Sequence, residues 1–415
     1  MTELTVSIIV VSRHRSDALT RCLTGLSQLQ FNAFEIIVVA DPEGISAAQA
    51  MAFAGDLKLV EYDKANISAA RNLGIEHAAG EVVAFIDDDA VPEPQWLRFL
   101  VAPADQRDVA AMGGYVRGRN GISFQWKARS LDRFGDATEI SIDNTQATVL
   151  TPPKGRAIKT EGTNMAFRRN VLVELGGFDP AYHYYLDETD LNMRLARAGH
   201  ITAIVPLAEV HHGFSANALR HSNRVPRDLF DIGASWAVFQ RKHLVDTEHA
   251  LHWKRITAHE RRRVLGHMIS GGLEPRDVRR LMGRLDAGYA EGLDRPLTKV
   301  QLPKHPSAPF KSFPSKARSA SVIRSRPWRL SKDRRAAADR VKSGEIVTIL
   351  SLSPTATYHQ VSFDVNGVWI QRGGTFGRSD RDTPLFRLTT RSRRSEKEVR
   401  RVARQRGIGK NNKTG

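Results

Sequence analysis

The feature that most constrains this chain is an alternation across its first hundred residues. Apolar β-branched runs take turns with stretches that repeat at helical spacing. Residues 5–12 (TVSIIVVS) read as a strand buried on both faces, because nearly every position is apolar or small. Ser16 can then cap a helix whose apolar face is Leu19, Cys22, Leu23, Leu26 and Leu29. Residues 34–40 (FEIIVVA) form a second such run and end in Asp41-Pro42-Glu43-Gly44, a turn composition. A third short strand is expected at 58–61. Ser68 opens a helix through Ala79, which Gly80 stops. Residues 81–86 (EVVAFI) give a fourth strand, which runs directly into Asp87-Asp88-Asp89. Strands alternating with helices imply an α/β domain with a mostly parallel sheet. Such sheets bind ligands beyond the carboxyl ends of their strands, where Asp41 and the aspartate triplet both lie.

Further along, 109–160 hold short strand-like pieces and polar loops. Residues 162–167 read as a strand, 168–175 and 188–198 as helices stopped by glycines, and 201–205 as a strand followed by His211-His212. The expected organisation is a first domain at 1–225 and a helical extension at 226–295. A basic Pro/Ser-rich linker at 296–343, a small β module at 344–390 and a basic disordered tail at 391–415 complete it.

Charge is divided unevenly along the chain. Residues 301–415 hold 26 Lys and Arg against 8 Asp and Glu, whereas the first 300 carry 36 against 37. The whole surplus therefore sits at the C-terminal end, where it suits an anionic surface. A peripheral contact with anionic membrane through 301–415 is expected. Nucleic acid is not the expected partner, since aromatics are sparse among these charges. The single cysteine, Cys22, excludes an internal disulfide framework and a cysteine zinc site. No run approaches the roughly 18–20 apolar residues that span a bilayer, and Met1-Thr2-Glu3-Leu4 is unlike a secretory leader. A cytoplasmic protein, placed at the inner face of the membrane, is the expectation.

Three adjacent carboxylates after an apolar strand repel one another, and a divalent cation relieves that repulsion. Hard oxygen ligands suit Mg²⁺ or Mn²⁺. His211 or His212 could complete such a site; an ordinary half-buried histidine pair is the plainer reading. Asp187-Glu188-Thr189-Asp190 opens a helix. The helix dipole alone favours acids there, while a general base for an attacking hydroxyl is the functional alternative. Arg13, Arg15 and Arg71 could each meet a phosphate or remain solvated. Residues 12–17 contain no glycine, which argues against a dinucleotide or P-loop site and against a nucleotidyltransferase.

Taken in order, TVSIIVVSRHR (5–15), FEIIVVAD (34–41), NISAARNLG (66–74), GEVVAFIDDDAVPEP (80–94), GTNMAFRRNVLVELGGF (162–178) and LDETDLNMRLARAG (186–199) resemble glycosyltransferase family 2. The resemblance covers about 4–215. It implies the GT-A fold, an α/β Rossmann-like mixed sheet flanked by helices, here followed by further helices and the small C-terminal β module. It also implies a nucleotide-sugar donor, with UDP-sugar the default, and inversion at the anomeric carbon. The acceptor would be a glycan or lipid-linked hydroxyl, in cell-surface polysaccharide synthesis. By resemblance, Asp41 contacts the nucleobase, and Arg13 and Arg71 lie near the nucleotide. Asp87, Asp88 and Asp89 match the Asp-x-Asp motif, with Asp87 and Asp88 toward the nucleotide and Asp89, with Asp87, on the metal. His211 or His212 would reach metal or diphosphate. The family's acidic pair is reversed here, so Glu188 takes the base position with Asp187 as its rival, and Asp190 orients Arg194. The competing expectation is an inactive domain of this fold that binds an anionic surface or nucleic acid through its basic C-terminal region.

Overall fold

In the computed structural model, residues 4–409 are described except 214–218, 220, 222, 299 and 381. The chain opens with β1 (Val6–Ser12), β2 (Phe34–Ala40), β3 (Leu57–Glu61), β4 (Val82–Asp87), β5 (Ala90–Pro92), β6 (Val109–Arg117) and β7 (Phe124–Trp126). A small sheet of β8 (Arg129–Leu131), β9 (Ala137–Glu139) and, beyond β10 (Thr148–Leu150), β11 (Ala157–Lys159) comes next. β12 (Asn164–Arg168) and β13 (Ile201–His212) close this half. The main sheet has the order β10-β13-β6-β12-β4-β1-β2-β3, with β5 on β13 and β7 on β6. β4, β1, β2 and β3 run parallel, and β12 enters antiparallel to both β4 and β6. This is the mixed, Rossmann-like GT-A sheet that the resemblance implies.

Helices cover both faces, so the strands bury both sides and read as unbroken apolar runs. On one face α1 (Ser16–Leu26), α2 (Pro42–Gln49) and α4 (Trp96–Val101) pack around Ile8, Val38, Ile86 and Trp96. On the other, α3 (Ile67–His77), α5 (Arg169–Leu175) and α6 (Asp187–Arg197) pack around Ile9, Phe85, Phe167 and Phe178. Asn66, not Ser68, caps α3, accepting from the Ala69 amide at 2.9 Å; the Ser68 hydroxyl donates to the Tyr182 carbonyl instead. Beyond β13, α7 (Phe230–His243), α8 (Asp246–Ile269) and α9 (Pro275–Asp294) form the helical extension.

Two expectations about the C-terminal region need correction. The linker is not a free tether. Phe313 is buried and stacks on Phe34 at 5.3 Å, and Leu302 joins the α3-side core. Its second half is ordered as β14 (Ala320–Ser325) and α10 (Leu330–Lys342). These join β15 (Ile346–Ser353), β16 (Gln360–Phe363) and β17 (Trp369–Gly374) in a four-stranded sheet of order β14-β15-β17-β16. Through Ile346, Val361 and Trp369 this sheet packs on Val91 of β5 and Ile122. Nor is the tail a disordered one over its described part: α11 (Arg391–Arg406) is a helix, and buried Glu398 accepts from Ser379 and pairs with Arg394 and Arg401. Residues 410–415 lie outside the described residues.

Candidate functional site

The aspartate triplet sits where β4 ends, and Arg15 pairs with both Asp88 and Asp89 while Asp87 lies toward Arg71. Asp88 is fully buried; it accepts from the Ser12 hydroxyl at 2.6 Å and pairs with Arg15 at 2.6 Å. Burial pushes its pKa up to about 7, against the pull of Arg15 and with the push of Asp89. Asp88 is thus committed to the protein interior. Asp87, the most exposed of the three, accepts from the Thr163 hydroxyl at 2.6 Å and lies 3.4 Å from Arg71. Asp89 is buried, with its Oδ1 3.0 Å from His212 Nε2.

His212 arrives on β13, which pairs antiparallel with β5 so that His212 lies opposite Ala90. Its Nδ1 faces Gln125 Oε1 at 3.1 Å. A proton donated there leaves Nε2 as the atom with a lone pair. One donor atom each from Asp87, Asp89 and His212 lies within 4.8 Å of the others. Cis ligands of a six-coordinate ion at roughly 2.1 Å stand about 3 Å apart, as the Asp89–His212 pair does. Two carboxylates and an imidazole are also a donor set that Mn²⁺ accepts and Mg²⁺ tolerates. The residues therefore fit a divalent ion.

Of the two histidines expected here, His211 points elsewhere. Successive side chains on a strand face opposite sides, and His211 Nε2 meets Glu93 at 2.8 Å with its ring against Trp369. Asp41 is also less open than expected. It is 2 % exposed, and its two oxygens accept from the His14 amide and face the His14 ring, each at 3.1 Å. Arg13 pairs with Asp63 at 2.8 Å on the surface.

The acidic pair comes in on the first turn of α6. Tyr185 and Leu186 precede it in the left-handed region (φ 74° and 65°), a strained turn for two side-chain-bearing residues. Asp187 is buried and takes an ion pair from Arg71, whose guanidinium also donates to the Gly162 carbonyl. A β-carbon at Gly162 would stand 2.9 Å from Arg71 Nη2, so any other residue there would have to push the guanidinium aside. Burial and Glu188 push Asp187 up to about 7, against the pull of Arg71. Glu188 behaves oppositely: burial would raise it, but Lys159, 2.8 Å from Oε1, holds it down at about 2. Asp190 pairs with Arg194 as expected and also meets Lys242 and His243.

Asp87, Asp89, His212, Asp187 and Glu188 share one cavity of about 460 Å³, walled also by Arg15, Tyr185 and Arg263. A second cavity of about 450 Å³, lined by Val11, Arg13, His14, Tyr62, Lys64 and Asn66, adjoins it through Arg15, Ile67 and Tyr184. Sequence reasoning missed Lys159, Thr163 and Gln125. Gln125 and Lys159 lie in three-residue strands, where no periodicity marks them, and Thr163 lies in the segment 162–167 that reads as a strand without its hydroxyl being singled out.

A profile of the family described as "Glycosyltransferase like family 2" matches residues 4–225. The glucosyl-dolichyl phosphate glucuronosyltransferase of Haloferax volcanii is 26 % identical over 182 residues, 43 % of this chain and 56 % of that protein. The pre-mycofactocin glycosyltransferase of Mycobacterium tuberculosis is 25 % identical over 215 residues, 50 % of this chain and 42 % of that protein. The chain thus spans about half the length of these relatives. A crystal structure of GalNAc-T7 with UDP, GalNAc and Mn²⁺ superposes with a TM-score of 0.41 at 18 % identity, over 51 % of this chain and 44 % of that one.

Proposed function

Because the chain belongs to glycosyltransferase-like family 2, we propose that it is an inverting, metal-dependent glycosyltransferase acting on a nucleotide-sugar, with UDP-sugar the first choice. The acceptor is a hydroxyl of a glycan or of a lipid-linked saccharide, in line with the dolichyl phosphate in one relative's name. The observation that carries this reading is the convergence of Asp87, Asp89, His212 and Glu188 on one cavity.

Asp87, Asp89 and His212 would hold the ion, Mg²⁺ or Mn²⁺. Its chemistry is to stabilise the negative charge that gathers on the leaving diphosphate. Arg15, between the two cavities, adds fixed positive charge on the same side, and Asp88 holds it in place through their ion pair. The adjoining cavity offers the nucleoside an aromatic wall in Tyr62 and polar groups in His14 and Asn66. Asp41 then acts through His14 rather than by touching the base.

Glu188 is the general base. It reaches the cavity, and Lys159 keeps it ionised throughout the neutral range. It accepts the proton of the acceptor hydroxyl as that oxygen attacks the anomeric carbon from the face opposite the diphosphate. Asp187 is a positioning residue that holds Arg71 against Asp87 and Gly162. One displacement suffices, with no covalent intermediate.

The test is release of UDP from a panel of UDP-sugars by the purified chain with Mn²⁺. Release that EDTA stops and that Glu188→Gln slows supports the reading. Release unaffected by both overturns it.

A further inference from the structure

The C-terminal region carries exposed apolar and basic residues, around the end of β14 and before α11, that the transfer reaction does not use. Trp328 is 74 % exposed, and Arg326 lies over its ring at 5.6 Å. Arg391 reaches the same place, donating to the Ser325 carbonyl. Three residues before it Leu388 is 82 % exposed, and Phe386 is 55 % exposed. Partial burial and then the facing Arg326 and Arg324 weaken Arg391's hold on its proton. These like charges repel one another. Exposed Trp, Leu and Phe close in the chain to several arginines point to an interaction surface.

We propose that Trp328, Phe386 and Leu388, with Arg324, Arg326 and Arg391, form a docking face for an anionic phospholipid bilayer. An indole and a phenyl ring favour the headgroup boundary, and an aliphatic tip enters the acyl region. Each arginine near an anionic surface strengthens partition roughly fivefold. Leucine has no π-face on which a nucleobase could stack, so Leu388 favours a bilayer over a single-stranded nucleic acid. Among the described residues no helix is long and apolar enough to cross a membrane; contact by this face is peripheral. The inference goes beyond the transfer reaction and stands or falls without it.

The test is co-sedimentation of the full chain with vesicles of phosphatidylcholine alone or mixed with phosphatidylglycerol. The wild type should sediment with the anionic vesicles and be released by salt. The Trp328→Ala/Leu388→Ala variant should bind them at least roughly tenfold more weakly. It should keep the wild-type melting temperature and UDP-sugar turnover, since both residues are solvent-facing. Equal binding to neutral vesicles overturns the proposal. So does unchanged binding by the variant, or binding by the chain to single-stranded RNA but not to vesicles. A Leu251→Ala/Ile269→Ala variant controls for the exposed apolar residues of α8; loss of binding there with retention in the Trp328 variant also overturns it.

Discussion

Arg406 and Glu93 are 313 residues apart in the chain and form a bidentate ion pair. Nε and Nη2 of the guanidinium meet the two carboxylate oxygens at 2.9 Å each, and neither side chain is more than 1 % exposed. The pair joins the last helix to the turn after β5, four residues beyond Asp89. Glu93 also receives His211, the neighbour of His212 on β13.

Breaking this pair from one side should cost more than any surface change. Arg406→Ala leaves a buried carboxylate, and Glu93→Ala a buried guanidinium. Each should lower unfolding free energy by about 3–5 kcal/mol. Urea denaturation of the full chain measures it.

The same pair sets a pH dependence. Burial would raise Glu93, but Arg406 and then His211 hold it down at about 2. A carboxylate with a depressed folded pKa adds stability above its unfolded value, near 4.5, and loses it as pH falls from there toward 2. Melting temperature should therefore drop steeply on acidification across that window. Glu93→Gln should show a lower plateau and a shallower acid limb.

Glu188 and Asp187 should separate in kinetics. Glu188→Gln should reduce kcat roughly 10²- to 10⁴-fold while leaving UDP binding intact. Asp187→Asn frees Arg71 and should weaken donor binding and stability as well. Single-turnover rates with calorimetric UDP affinities distinguish the two.

Gln125 Oε1 faces His212 Nδ1 at 3.1 Å. Replacing it with alanine removes the acceptor for Nδ1–H and so frees the tautomer and ring orientation. Mn²⁺ affinity should fall roughly 10- to 100-fold, with little change in the melting temperature of the metal-free protein. Mn²⁺ titration calorimetry is the measurement.

Much of the first half was legible because the sheet is buried on both faces. Strands such as FEIIVVA then carry no polar interruption, and the acids that follow stand out. The histidine ambiguity was not resolvable by pattern, since it depends on strand parity relative to β5, and β13 runs seven residues past its expected end. Asp41 was legible as a strand-end acid but not as a partner of His14, whose positive φ (56°) turns its ring back onto it. Residues 124–159 resisted because three-residue strands have too few positions to show a period. The C-terminal helix read as disorder because 391–415 is dominated by basic residues. Its signal was the spacing Arg394, Glu398, Arg401, which places opposite charges one turn apart.

The most direct test of the central claim is the melting temperature of wild type and Asp89→Asn with UDP, in Mn²⁺ and in EDTA. A ligand at a hundredfold its Kd stabilises the native state by about 2.7 kcal/mol. UDP should raise the wild-type midpoint only when Mn²⁺ is present and should leave a folded Asp89→Asn protein unchanged in either condition. An equal rise in EDTA, or an undiminished rise in the variant with Mn²⁺, would contradict a metal-held diphosphate at this site.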